Sequence, residues 1–184
     1  MSKIYAHKKQ RIFSKRVKLY VSLNNEKEND AKSISENEDI STNINNVSDE
    51  ITFDARLENV SIATDFVSKI AHALPFSKKD KYQIDIAVDE IVSNVARYAY
   101  DGKIGSVSIK TESDTEGLTI TVIDSGIPYN PIEKEDPDVT LSAEERVIGG
   151  YGIFIVKNVM DDIKYEYLEG KNILTMRKKY VIEL

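Results

Sequence analysis

Apolar and polar positions change their period several times along the chain, and each change marks an element. Ile51, Phe53 and Ala55 alternate with Thr52, Asp54 and Arg56, which predicts a strand. Val60, Ala63, Phe66, Val67, Ile70, Ala71 and Leu74 recur at helical spacing until Pro75 stops them. Ser77-Lys78-Lys79-Asp80 reads as a capped helix start. The helix it opens runs to about Tyr100, where Asp101-Gly102 ends it. Its core stripe is Ile84, Val88, Ile91 and Val95, at three- and four-residue steps. Val107 and Ile109, then Leu118, Ile120 and Val122, predict a hairpin around the polar turn 113–117. Ile153, Val156, Val159 and Met160 predict a further helix. Ile163, Tyr165 and Tyr167, a turn at Glu169-Gly170, and Leu174 and Met176 predict a closing hairpin.

The order is strand, two helices, two strands, a loop, a helix and two strands. Hairpins with helices between them point to an α+β layered fold, not a doubly wound parallel sheet. Residues 127–148 hold three of the four prolines and form the long loop, and loops of that length inside a domain usually serve function.

The first fifty residues read differently. Val17, Leu19, Val21 and Leu23 alternate as in a short strand, but from Asn24 to Glu50 no period is sustained. That stretch has too little apolar surface to offset the entropy of ordering it. We therefore expect a head and disordered linker over 1–50, a boundary near Asp49, and the folded domain over 51–184. Charge sharpens this division. Residues 1–23 carry seven Lys or Arg and no acid, while 24–50 carry eight acids against two lysines. A basic head on an acidic spacer can be a solvated tail, or can meet an anionic partner, a membrane surface or its own domain.

Composition excludes several chemistries. There is no cysteine, hence no disulfide, thiolate metal site or Cys nucleophile, as fits a reducing cytoplasm. His7 and His72 are the only histidines, too few for a His-rich metal site. No apolar run approaches a transmembrane span. The net charge of -6 argues against general nucleic-acid binding.

Candidate chemistry sits beside the stripe of the long helix. Ile86, Glu90, Asn94 and Arg97 share a neighbouring face, with Glu90 and Asn94 four apart. An amide oxygen can ligate a hard cation, a carboxylate can take a proton, and a guanidinium can meet a phosphate. The same residues also make an ordinary solvated face. Asp124-Ser125-Gly126 follows a strand, where the carboxylate can accept from an exocyclic amino group or simply shape a turn. All eight glycines lie beyond residue 100, three of them in Gly149-Gly150-Tyr151-Gly152 just before a helix. Such glycines let backbone N–H groups approach an anion, or merely lead a loop into a helix.

The order of these pieces is more specific than any one of them. An Asn-bearing helix, an Asp-x-Gly strand end, a long loop and a Gly-x-Gly helix start resemble the N, G1 and G2 boxes of the GHKL ATPase superfamily. The resemblance covers roughly residues 51–180. Within it, VDEIVSNVARYAY, VIDSGIPYNP, GGYGIFIVKNVMDDIKY and NILTMRK are most similar to the anti-sigma-factor serine/threonine kinases.

The resemblance implies a Bergerat-type two-layer sandwich, with a mixed, mostly antiparallel sheet and helices on one face. It implies ATP and magnesium as ligands. Asn94 would hold the magnesium, Asp124 the adenine amino group, and Gly126 would line the base. Gly150 and Gly152 would bind the phosphates under a lid formed by 127–148, and Thr175 would join Asp124. Glu90 stands where this family has its general base and sensor histidine kinases usually have Asn. Neither histidine lies in a dimerising phosphoacceptor helix pattern. The implied activity is transfer of the ATP γ-phosphoryl group to a serine of an antagonist protein. A sigma factor is the second implied partner, and the implied assembly is a homodimer. A nucleotide-gated binding module without kinase turnover is the alternative. Two departures concern phosphate binding. Tyr98 replaces the His often found before Ala-Tyr, and Arg97 stands where related families place a phosphate-contacting Lys.

Overall fold

The computed structural model describes residues 47–133, 135–137 and 151–181. The alternating 51–56 pattern is strand β1, Ser48–Asp54, and it begins three residues before the expected domain start. A short 3-10 turn, Leu57–Asn59, leads into α1, Val60–His72. Helix α2 spans Lys78–Tyr98. Strands β2, Ser106–Ser113, and β3, Gly117–Asp124, form the first hairpin. After a 3-10 turn at Pro131–Glu133 comes α3, Tyr151–Val159, then β4, Asp162–Leu168, and β5, Lys171–Lys179. The Val17–Leu23 strand, the linker, and most of the loop from 138 onward lie outside the described residues.

One five-stranded sheet has the order β1-β2-β3-β5-β4. Every pairing among the described residues is antiparallel, so the mixed sheet expected above is not found there. Strand parity then decides the core. Val107, Ile109, Leu118, Ile120, Val122, Leu174 and Met176 are all buried on one face. Against it pack Ala63, Phe66, Val67 and Ile70 of α1, Ile84, Val88 and Ile91 of α2, and Ile153 and Val156 of α3. No helix among the described residues is long and apolar enough to cross a membrane.

Local chemistry fixes the helix that carries the site. Ser77 caps α2, its hydroxyl accepting from Asp80 N–H at 3.1 Å and donating to Asp80 Oδ2 at 2.6 Å. Asp80 is itself buried, 3.5 Å from the buried Lys178 ammonium of β5. Lys178 also donates to Gln83 Oε1 at 3.0 Å and to the Val159 carbonyl at the end of α3 at 2.8 Å. One cation thus ties the start of α2 and the end of α3 to the sheet. Removing either charge would leave the other buried with fewer partners, which is unfavourable. At its far end α2 is stopped by Asp101 and Gly102, both in the left-handed region at φ 47° and 76°.

The β2–β3 turn is pinned by Asp114. Its carboxylate accepts from Arg177 Nη2 at 2.7 Å and from Glu116 and Gly117 N–H at 2.8 and 3.0 Å. The Arg177 hydrogen bond leads in pulling its pKa from 3.8 down to about 2, against a smaller opposing effect of burial. A depressed carboxylate stabilises the fold fully above its unfolded pKa, and the contribution is lost as pH falls through the folded value. The Asp114 side chain is 47% exposed, so solvent screening reduces the effect to roughly 1 kcal/mol. Asp114→Asn should therefore be less stable than wild type at pH 6 by about that amount. The gap should close between about pH 4 and pH 2. Urea unfolding across that range is the check, and a gap independent of pH would contradict it.

Candidate nucleotide site

A cavity of about 690 Å³ opens between α2, the end of β3, the start of α3 and strands β4 and β5. Glu90, Asn94 and Arg97 reach it from α2, Asp124 from β3, Gly152 from α3, and Tyr165 and Asn172 from the closing hairpin. These residues are brought together by the three-dimensional fold, since they span more than eighty positions in sequence.

The Glu90 carboxylate lies against the first turn of α3. A methyl group built on Gly152 would stand 2.1 Å from Glu90 Oε2, so the missing side chain is what admits the carboxylate. Asn94 follows one turn later on the same face of α2. Arg97 is exposed at the cavity mouth.

The opposite end of the cavity is lined by a buried polar network. Asp124 is buried, and its Oδ1 accepts from Gly126 N–H and Asn172 Nδ2, both at 2.8 Å. Asn172 Nδ2 also donates to the Ile127 carbonyl at 3.1 Å. Its Oδ1 accepts from the Tyr165 hydroxyl at 2.6 Å and Tyr129 N–H at 3.2 Å. Burial leads in pushing the Tyr165 hydroxyl pKa up, so it stays protonated as a donor to Asn172. Ile91, Val122, Ile127 and Leu174 add apolar walls to the cavity. Asp124 Oδ2 takes no part in this network, so one carboxylate oxygen remains to accept from a ligand donor.

Tyr100 holds the strand end in place from behind. Its hydroxyl donates to the Ser106 carbonyl and accepts from Ser125 N–H at 3.0 Å. The ring occupies the space above Gly105 where any side chain would clash.

A metal held at the Glu90 end would have few protein ligands. Among the described residues no three His, Cys, Asp or Glu side chains gather into a cage. An amide oxygen with a carboxylate nearby suits magnesium, which keeps few protein ligands and completes its shell with waters and substrate phosphates.

The family model described as histidine kinase-like ATPase domain matches residues 53–178. This chain belongs to the histidine kinase-like ATPase family. Among its relatives, the anti-sigma F factor of Clostridium acetobutylicum is 32% identical over 134 residues, 72% of this chain and 94% of that protein. The serine-protein kinase RsbW of Listeria monocytogenes is 30% identical over 134 residues, 70% of this chain and 84% of that protein. A solved structure of the RsbU and RsbW domains of Rv1364c from Mycobacterium tuberculosis aligns at TM-score 0.46 and 16% identity. It covers 74% of this chain and 35% of that one.

Within this ATPase domain the expected residues fall into three groups. Glu90, Asn94, Arg97, Asp124 and Gly152 all open on the cavity. Gly150 lies outside the described residues. Thr175 and Gly126 take other places. Thr175 pairs with Thr121 and Lys164 on the far face of the sheet, because the strand alternates and the cavity face belongs to Asn172 and Leu174. Asn172, not Thr175, is the residue beside Asp124. Gly126 does not line the cavity either. A methyl group there would stand 2.2 Å from the Ala99 carbonyl and 2.6 Å from Ala99 Cβ, so the glycine lets the end of α2 lie against the strand end. Ile127 N–H donates to that same carbonyl at 2.8 Å. Backbone cannot yield as a side-chain tip can. Gly126→Ala should lower stability by about 1–3 kcal/mol, as overpacked sites do. Denaturant midpoints are the check, and an unchanged midpoint would show that the helix end has room to give.

Proposed function

We propose that this chain is an ATP-dependent serine kinase of the anti-sigma type, transferring the γ-phosphoryl group to a serine of an antagonist protein. In this reading it also holds a sigma factor, works as a homodimer, and acts in the cytoplasm. The observation that carries the reading is one cavity with a buried carboxylate at one end, one oxygen of it filled and the other open, and a carboxylate–amide pair beside the first turn of α3 at the other. The first end suits an aminopurine and the second a phosphate chain. The relatives' names supply the class of acceptor.

Each residue then has a job. Asp124 Oδ2 is the acceptor left over for the exocyclic amino group, and the apolar walls hold the ring. Asn94 would ligate magnesium and Arg97 would meet phosphate oxygens at the mouth. Magnesium, when bound, neutralises charge on the phosphates and orients them. Glu90 takes the serine proton as the hydroxyl oxygen bonds to the γ-phosphorus. The bond from that phosphorus to the β,γ-bridging oxygen breaks, and ADP leaves with the electron pair.

The test of the binding half is calorimetry with Mg-ATP and Mg-GTP. Guanine carries a carbonyl where adenine carries its amino group, so ATP should bind far better. Asp124→Asn should weaken ATP binding by about 1–3 kcal/mol, the worth of a hydrogen bond to a charged group. Equal affinities for the two nucleotides in wild type would remove Asp124 from this role.

A further inference from the structure

We propose that Asn172 is a positioning residue that sets the purine selectivity of the cavity, by holding Asp124 to a single free acceptor oxygen. The proposal rests on the reading of Asp124 as the adenine acceptor.

Asn172 has four hydrogen-bonding positions, and all four are used. Both amide hydrogens go out, to Asp124 Oδ1 at 2.8 Å and to the Ile127 carbonyl at 3.1 Å. Both lone pairs of Oδ1 are taken, by the Tyr165 hydroxyl at 2.6 Å and Tyr129 N–H at 3.2 Å. The orientation of the amide is therefore unambiguous. Turned over, it would set its oxygen against a carboxylate and a carbonyl, and its NH₂ against a backbone N–H. Asn172 is only 7% exposed, so any position left unmet would be unfavourable.

The consequence falls on Asp124. A carboxylate with both oxygens free can accept two donors side by side. Guanine offers such a pair, its ring N–H and its 2-amino group. Asp124 cannot answer that pair, because Oδ1 is already filled by Asn172 and Gly126 N–H. One acceptor remains, which matches the single exocyclic donor of adenine. Asn172 thus works against guanine as much as for adenine, a discrimination built from what is denied to the wrong ligand. The same amide reaches Ile127 and Tyr129, so the acceptor and the first residues after β3 are set by one side chain.

The test uses the full chain and four proteins: wild type, Asn172→Leu, Tyr165→Phe and Asp124→Asn. Calorimetry gives affinities for Mg-ATP and for Mg-GTP, and thermal unfolding reports the fold. Asn172→Leu should narrow the ATP-to-GTP preference by about tenfold or more, since a hydrogen bond to a charged group is lost. Tyr165→Phe removes one hydroxyl that orients the amide, and should narrow it in the same direction by about threefold. Without nucleotide, the Tyr129 amide proton should exchange faster in Asn172→Leu than in wild type. If Asn172→Leu does not fold, Tyr165→Phe decides. A wild-type preference in Tyr165→Phe and in a folded Asn172→Leu, with the preference lost in Asp124→Asn, would overturn the proposal and leave the adenine reading standing. A preference kept in Asp124→Asn would remove the adenine reading, and this proposal with it.

Discussion

Glu90→Gln should bind Mg-ATP nearly as well as wild type and transfer phosphate roughly 10²–10⁴ times more slowly, the usual worth of a positioned general base. The substitution keeps the shape of the side chain, and shape matters here because the carboxylate fills the space left by Gly152 at the first turn of α3. What changes is the ability to take the serine proton. Binding and chemistry should therefore separate. An ordinary solvated helix residue would give neither effect, and a carboxylate needed mainly for metal binding would lose affinity and rate together. Single-turnover transfer measured beside a binding isotherm distinguishes the three patterns. A variant that transfers as fast as wild type would withdraw the general-base role.

Asn94→Ala should do what Glu90→Gln does not, weakening nucleotide binding and transfer together. Both residues open on the same cavity from one face of α2, so a shared location does not explain different outcomes. Their chemistry does. The amide oxygen would hold the magnesium that offsets phosphate charge, and no cage of carboxylates or histidines stands among the described residues to replace it. The loss in magnesium-dependent ATP affinity should be at least the roughly 10–100-fold typical for outer partners of a metal site. A magnesium titration at fixed ATP is the measurement. Affinity with an unchanged magnesium dependence would place the ion elsewhere.

Much of this site was legible in the sequence because periodicity carries it. The stripe Ile84, Val88 and Ile91 is buried, and a stripe fixes the helix rotation. Once the rotation is fixed, the side on which Glu90 and Asn94 project is fixed too. Asp124 was legible for a similar reason, since Leu118, Ile120 and Val122 put it on the core face by strand parity. The same parity applied to β5 would have moved attention from Thr175 to Asn172. Leu174 and Met176 mark the inward face, and Asn172 and Lys178 share it. Both are polar residues at inward strand positions, and a buried polar residue must have a partner. The partners could not be read from the chain. Asp124 lies 48 residues from Asn172, and Gln83 lies 95 from Lys178. Gly126 was misplaced for a different reason. Its position signals that something approaches the backbone closely, and the sequence does not say whether that is a base or the end of α2.

Phosphoryl transfer to a protein serine is best tested by following the transfer itself. The full chain would be used to retain partners from its source cells with and without Mg-ATP. Single-turnover reactions with γ-labelled ATP would then be followed by mapping of the phosphorylated residue. Label should appear on a serine of a small retained protein, at a rate that falls in Glu90→Gln while binding holds. A wild-type chain that binds Mg-ATP, changes what it retains with nucleotide, and labels none of it would contradict the kinase and indicate a nucleotide-gated binding module.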